Sequence, residues 1–238
     1  MIIYGMHACR AAVRARSGKI RRVYILDRKS KNTEWLDSLP QKLIQITDNI
    51  GFRKILPKGV VHQGIAIDIE EVEYGDITDL HSISDNCVIA MLDGITDSNN
   101  MGAIIRSAAA FGIRGIVISD RSTCKVNGAV AKTASGGLEL VNIYLVKNLS
   151  QTLDKLKSYG FWIIALTEDG ERTPEEVDLP GKICLVVGAE GTGIRRLQLE
   201  KADLTVRLKT NPEFPTLNVS NAAAIMFAQM NKSSYIFT

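Results

Sequence analysis

The 238-residue sequence has no apolar run approaching the ~18 to 20 residues that span a bilayer, which excludes a transmembrane helix. Its four cysteines, Cys9, Cys87, Cys124 and Cys184, are scattered, with no C-x-x-C pair and no histidine cluster beside them. A zinc site or a disulfide framework is therefore not expected, and a reducing, cytosol-like compartment is. No metal is expected anywhere in the chain. There is no internal repeat and no low-complexity tract. Acidic residues are missing from the N-terminus, where the first is Asp27. Such an arginine-rich, acid-poor start resembles an organelle transit peptide. Tyr4-Gly5-Met6-His7-Ala8 begins at once, however, and Arg21 to Leu26 already reads as a strand, so little room is left for a removable leader. Cytoplasmic localisation is the expectation.

What is present bounds the rest. With 45% hydrophobic side chains the chain can bury one large core, or a small domain plus a medium one. The net charge of +3 hides an asymmetry: residues 1–60 hold thirteen Lys and Arg against four acids, a net +9, which leaves −6 for the remainder. A basic front end on an acidic body points to phosphates as its partner, although a solvated basic helix face carries the same signature.

From Ile2 to about Ile69 the pattern predicts a small α/β unit. It has helices near His7 to Arg16, through Trp35 and at Asp48 to Leu56, and strands at Val23 to Leu26, Leu43 to Ile46 and Ile65 to Ile69. Acidic residues without periodicity, Glu70 to Asp85, follow as a linker, giving expected divisions of 1–72, 73–85 and 86–238. Thereafter apolar strands (residues 87–92, 115–119, 141–146, 161–166, 183–187 and 204–208) alternate with helices after Asn100, near 127–134, 149–159 and 194–201, and at about 218–230. That alternation predicts a parallel sheet covered on both faces.

Three stretches at the carboxyl ends of predicted strands read as sites, because open α/β sheets place ligands there. The first is Asp97-Ser98-Asn99-Asn100-Met101-Gly102-Ala103-Ile104-Ile105-Arg106. Asn99 or Asn100 is suited to cap the helix, Gly102 admits another backbone or a ligand, and Arg106 is expected to reach across the helix mouth. The second, Val187-Gly188-Ala189-Glu190-Gly191-Thr192-Gly193, spaces its glycines G-x-x-G-x-G. That is not the G-x-G-x-x-G dinucleotide fingerprint, so it reads as a structural turn or a close approach to some other ligand. In the third, Phe214 to Asn221, Thr216 or Asn218 either caps the helix that follows or aims polar groups into a pocket shared with Glu190.

The joint order of these stretches resembles the three motifs of the SpoU/TrmH branch of the SPOUT RNA methyltransferases. Asn100-x-Gly102-x-x-x-Arg106 fits the first motif, Gly188-Ala-Glu190-Gly191 the second and Leu217-Asn218-Val219-Ser220 the third. Arg121-Ser122-Thr123 and the helix through Asn127, Lys132 and Gly136-Gly137 are similar to the segment between motifs one and two. Tyr4-Gly5-x-His7-Ala8 and Val61-His62-Gln63-Gly64-Ile65 resemble a small ribosomal-protein-like substrate-binding domain. Such a domain precedes the subfamily that methylates 23S ribosomal RNA at a guanosine 2'-hydroxyl.

The resemblance implies an α/β chain whose C-terminal SPOUT domain has a parallel sheet and a deep trefoil knot. It implies S-adenosylmethionine as cofactor, held by backbone groups around Gly188, Leu208 and Leu217. Asn100, Arg106, Glu190, Thr216 and Asn218 would line the catalytic side, and a homodimer would let Arg106 act on the partner's site. Glu190 would fix the arginine by an ion pair. The basic unit would bind RNA through Arg10, Arg14, Arg16, Arg21 and Arg22, with His62 and Gln63 as candidates for a base. Ribosomal RNA is the implied substrate and transfer RNA the rival. Where the branch usually has Ser, this chain has Thr216, which keeps the hydroxyl but stiffens χ1.

Methyl transfer to a ribose hydroxyl displaces a neutral thioether from a sulfonium, so the leaving side needs no acid. Positioning and removal of one proton are the tasks. The family's usual assignment makes the motif-one arginine the base. A guanidinium titrates above ~12 and stays protonated in proteins, so the physically easier part is to bind the adjacent phosphate or stabilise the developing alkoxide.

Overall fold

A computed structural model describes residues 1–26, 34–83, 86–177 and 181–231. The N-terminal unit comprises β1 (Ile2–Tyr4), α1 (Met6–Arg16), β2 (Ile20–Ile25), β3 (Ile44–Ile46), α2 (Asn49–Ile55) and β4 (Ile65–Ile69). Its sheet runs β1-β4-β2-β3, antiparallel except for the β2–β3 pair. A shift in the β2–β4 register between Ile20 and Arg22 breaks the usual alternation, so that Arg21 and Arg22 are both exposed. Sequence pattern missed β1, and the segment through Trp35 is a 3-10 turn over Glu34–Ser38 instead of an α-helix.

The second unit contains β5 (Cys87–Asp93), α3 (Ser98–Ala110), β6 (Gly115–Ser119), α4 (Gly128–Ala134), β7 (Asn142–Val146) and α5 (Leu149–Ser158). It continues with β8 (Phe161–Leu166), β9 (Lys182–Gly188), α6 (Arg196–Leu199), β10 (Leu204–Val206) and α7 (Val219–Asn231). All its strands are parallel, in the order β10-β8-β9-β5-β6-β7. β5 shows why its run is apolar throughout: Ala90 and Leu92 enter the core under α3, α4 and α7, while Ile89 and Met91 enter the opposite core with α5.

The first of these cores is continuous across both units, from Ile3, Val13 and Ile67 through Val130 and Ile105 to Met226 and Phe227. Within the acidic stretch expected as a linker, Gly75 pairs with Tyr144, a 3-10 turn covers Ile77–Ser82, and Leu80 is fully buried. That stretch is packed against the second unit; Ser84 and Asp85 lie outside the described residues. Among the described residues no helix is long and apolar enough to cross a membrane.

Candidate active site

Three loops at the carboxyl edge of the large sheet come together. β5 ends at Asp93, which is buried, and the chain turns at Gly94 with φ +79°. Asp97, not Asn99 or Asn100, caps α3 by accepting the Asn99 amide at 2.8 Å. Asn100 is thereby freed for other contacts. Gly102 serves a neighbouring helix and not a ligand. A Cβ there would stand 2.6 Å from Thr133 Cβ and 2.8 Å from the Val130 carbonyl oxygen of α4.

The loop after β9 closes on itself through reciprocal Ala189–Gly193 backbone bonds of 3.1 and 2.9 Å, with Gly191 and Gly193 at positive φ. A Cβ on Gly188 would lie 2.2 Å from the Gly193 carbonyl carbon, so glycine is required there for the turn itself. Asp93, which the sequence reading passed over, straps this loop to β5. Its Oδ2 accepts the Arg195 amide at 2.9 Å, and Arg195 Nε stands 3.5 Å from Oδ1. The available signal was an acid closing an otherwise apolar strand.

Asn218 does both things that the sequence left open. Its Oδ1 accepts the Ser220 amide at 2.9 Å and so caps α7, while its Nδ2 donates to Asn100 Oδ1 at 3.0 Å. Asn100 Nδ2 in turn donates to Glu190 Oε2 at 3.5 Å. The amide relay Asn218, Asn100, Glu190 thus links all three motifs. One carboxylate at its end fixes the direction of every donor behind it.

Other expected members do not join. Thr216 is exposed on the open loop before α7 and makes no hydrogen bond among the described residues. Arg106 follows Asn100 by six residues, which places it roughly two-thirds of a turn round the helix axis. It is exposed, forms no ion pair with Glu190, and borders an open cavity with Ala11, Gly136, Gly137 and Leu140. The expected Arg106–Glu190 pair is absent within one chain, and so is the reach across the helix mouth. Gly188 is buried, Leu208 half-buried and Leu217 41% exposed.

In the basic unit, Arg10, Arg14, Arg21 and Arg22 are exposed. Arg16 is not a free cation: its Nε and Nη2 donate to the two carboxylate oxygens of Glu139, both at 2.7 Å. Gln63 is committed to the fold, its Oε1 accepting the Met6 amide at 2.9 Å and so satisfying the start of α1. His62 stacks on Phe52 with centroids 4.1 Å apart, and its Nδ1 accepts the Gly64 amide. Burial, then the nearby Lys132 charge, hold its imidazole below the ordinary value. Both residues thus have structural work, and Gln63 stays exposed beside it.

Comparison with known proteins accounts for both units. Residues 87–228 match the SpoU rRNA methylase family, and residues 2–75 match a domain described as RNA 2'-O ribose methyltransferase substrate binding. The 23S rRNA (guanosine-2'-O-)-methyltransferase RlmB of Coxiella burnetii is 32% identical, with 97% of this chain and 94% of that protein aligned. RlmB of Escherichia coli K12 is 31% identical, covering 94% and 95%. The SpoU methyltransferase AviRb of Streptomyces viridochromogenes, solved with AdoMet, shares the fold. Its TM-score is 0.82 at 18% identity, over 98% of this chain and 89% of that one. With both units matched in order and the three motif loops joined by one relay of amides, the chain belongs to the SpoU rRNA methylase family.

Proposed function

We propose that this protein transfers the methyl group of S-adenosylmethionine to a ribose 2'-hydroxyl of RNA, a guanosine of 23S ribosomal RNA, in the cytoplasm. Full-length similarity to RlmB enzymes supports the substrate class. The observation that carries the reaction is the Asn218–Asn100–Glu190 relay, which gathers the three motifs at one sheet edge.

The residues there suit the cofactor. From Leu208 to Leu217 the only backbone pairing among the described residues joins Asn211 and Phe214, so amides and carbonyls remain for a polar ligand. Exposed Leu217 and half-buried Leu208 offer apolar cover for an adenine, beside the tight turn at Gly188. When bound, the cofactor supplies an electrophilic methyl on a cationic sulfur. Glu190 and the two asparagines orient the ribose, and Arg106 acts on the phosphate or the developing alkoxide while that phosphate or a water takes the proton.

Arg106 points away from its own chain's relay, which supports action in a homodimer on the partner's site. The chain also supports the knot: β10 is at the sheet edge beside β8, yet α7 packs on α3, so residues 207–218 cross back over the carboxyl ends of the strands. The domain division follows as 1–72 for RNA binding, 73–85 as a packed connection and 86–238 for catalysis. Arg10, Arg14, Arg21 and Arg22 grip the RNA backbone. Incubation with labelled S-adenosylmethionine and separate pools of unmodified ribosomal and transfer RNA tests the proposal. Label at one 23S guanosine ribose is expected, and label only in transfer RNA, or none, overturns the substrate or the activity.

A further inference from the structure

α1 packs on α4 and on the short turn at residues 137–139, and both of these pack on α3, so that this turn lies between α1 and α3 at the seam of the two units. Gly136 and Gly137 make that turn thin. A Cβ on Gly136 would stand 2.9 Å from Ala11 Cβ of α1, and one on Gly137 would stand 3.2 Å from Arg106 Cα of α3. The next residue but one, Glu139, holds Arg16 at the end of α1 by two parallel hydrogen bonds of 2.7 Å. The two side chains are only 17% and 9% exposed. Outward from the same helix project Arg10 and Arg14, one turn apart.

Burying both charges costs solvation that their attraction largely offsets, so the pair adds little net stability for its depth. What two forked bonds between planar groups do add is orientation. We infer that the Arg16–Glu139 pair is a positioning device: it fixes the phosphate-gripping face of α1 relative to Arg106. The place where the RNA backbone is held then decides which ribose is presented for methylation. Neither residue touches substrate; both act through α1 and the turn on α3. The inference rests on the methyltransferase reading above.

The full-length protein is tested as wild type, Glu139→Gln and Arg16→Lys. Each variant keeps side-chain size while removing the charge or the fork. Expected for both variants are RNA affinity within about threefold of wild type and kcat lowered roughly tenfold or more. Methyl groups should also appear on riboses neighbouring the wild-type position. A merely structural pair predicts fewer active molecules but the same single ribose, and that outcome overturns the inference, as does wild-type kcat with an unchanged site. Hydrogen exchange reads the clamp without activity: α1 and residues 137–139 should exchange faster in both variants, and unchanged exchange also overturns it. Should the wild type transfer no methyl group, the functional reading falls, while the exchange result still judges the clamp.

Discussion

Asn218 holds two jobs that a single substitution can separate. Asn218→Asp keeps an oxygen for the Ser220 amide but has no hydrogen for Asn100, and it sets a second carboxylate against the amide already serving Glu190. Unfolding temperature should stay close to wild type while methyl transfer falls at least tenfold. Asn218→Ala should lose activity and also about 1 kcal/mol with the cap. Among the described residues Arg106 has no hydrogen-bond or ion-pair partner to lose, so Arg106→Ala should leave the unfolding temperature and cofactor affinity unchanged and cut transfer by roughly 10² to 10³. Arg106→Lys should fail nearly as badly, because a point charge does not reproduce the fork. His62 stacks on Phe52 in its neutral form, and its value lies below the ordinary 6.5. The unfolded chain therefore binds the proton more readily. Its contribution to stability is complete above the ordinary value and is lost as pH falls through 6.5 towards the lowered one. Melting curves between pH 7.5 and 5.5 should show a decline that His62→Gln lessens.

The elements were legible wherever a run of side chains met one kind of neighbour. Phe161–Leu166 and Gly115–Ser119 match their predicted bounds because both strands lie inside a parallel sheet and carry apolar runs, broken only by the closing Ser119. Helix starts were harder. Asp97 stands just before two asparagines that are equally able to cap, and the sequence alone does not choose among the three. β1 was missed because three residues at a sheet edge give no period to read. That Asn100, Glu190 and Asn218 would meet was readable from motif order. Arg16 was not, since its partner lies 123 positions away and an arginine in a basic helix looks like every other. Gly102 belongs to the same lesson, its ambiguity resolved by α4. Gly102→Ala should force α3 and α4 apart and cost about 1 to 3 kcal/mol. Denaturant unfolding measures it, with Gly18→Ala, where nothing lies within 4 Å of the added carbon, as the mild control.

For the molecule as a whole, the continuous core between the two units changes how RNA binding is best probed. Removing residues 1–72 would strip Ile3 and Val13 from a cluster that also holds Val130, exposing apolar surface along with any lost affinity. Charge reversal at the surface avoids this. Arg10→Glu with Arg14→Glu should weaken RNA binding at low salt and flatten the log–log salt dependence by about 1 to 2, with unchanged unfolding temperature. An unaltered slope would move the RNA to another face. The relay that joins Asn100 to Asn218 spans 118 positions and ends at the first turn of α7. A ribosome translating this chain must therefore make nearly all of it before any site exists. Ribosome-bound nascent chains shorter than that point should methylate no RNA, whatever they have folded, and a premature stop before Asn218 would also strip Met226 and Phe227 from the core that the two units share.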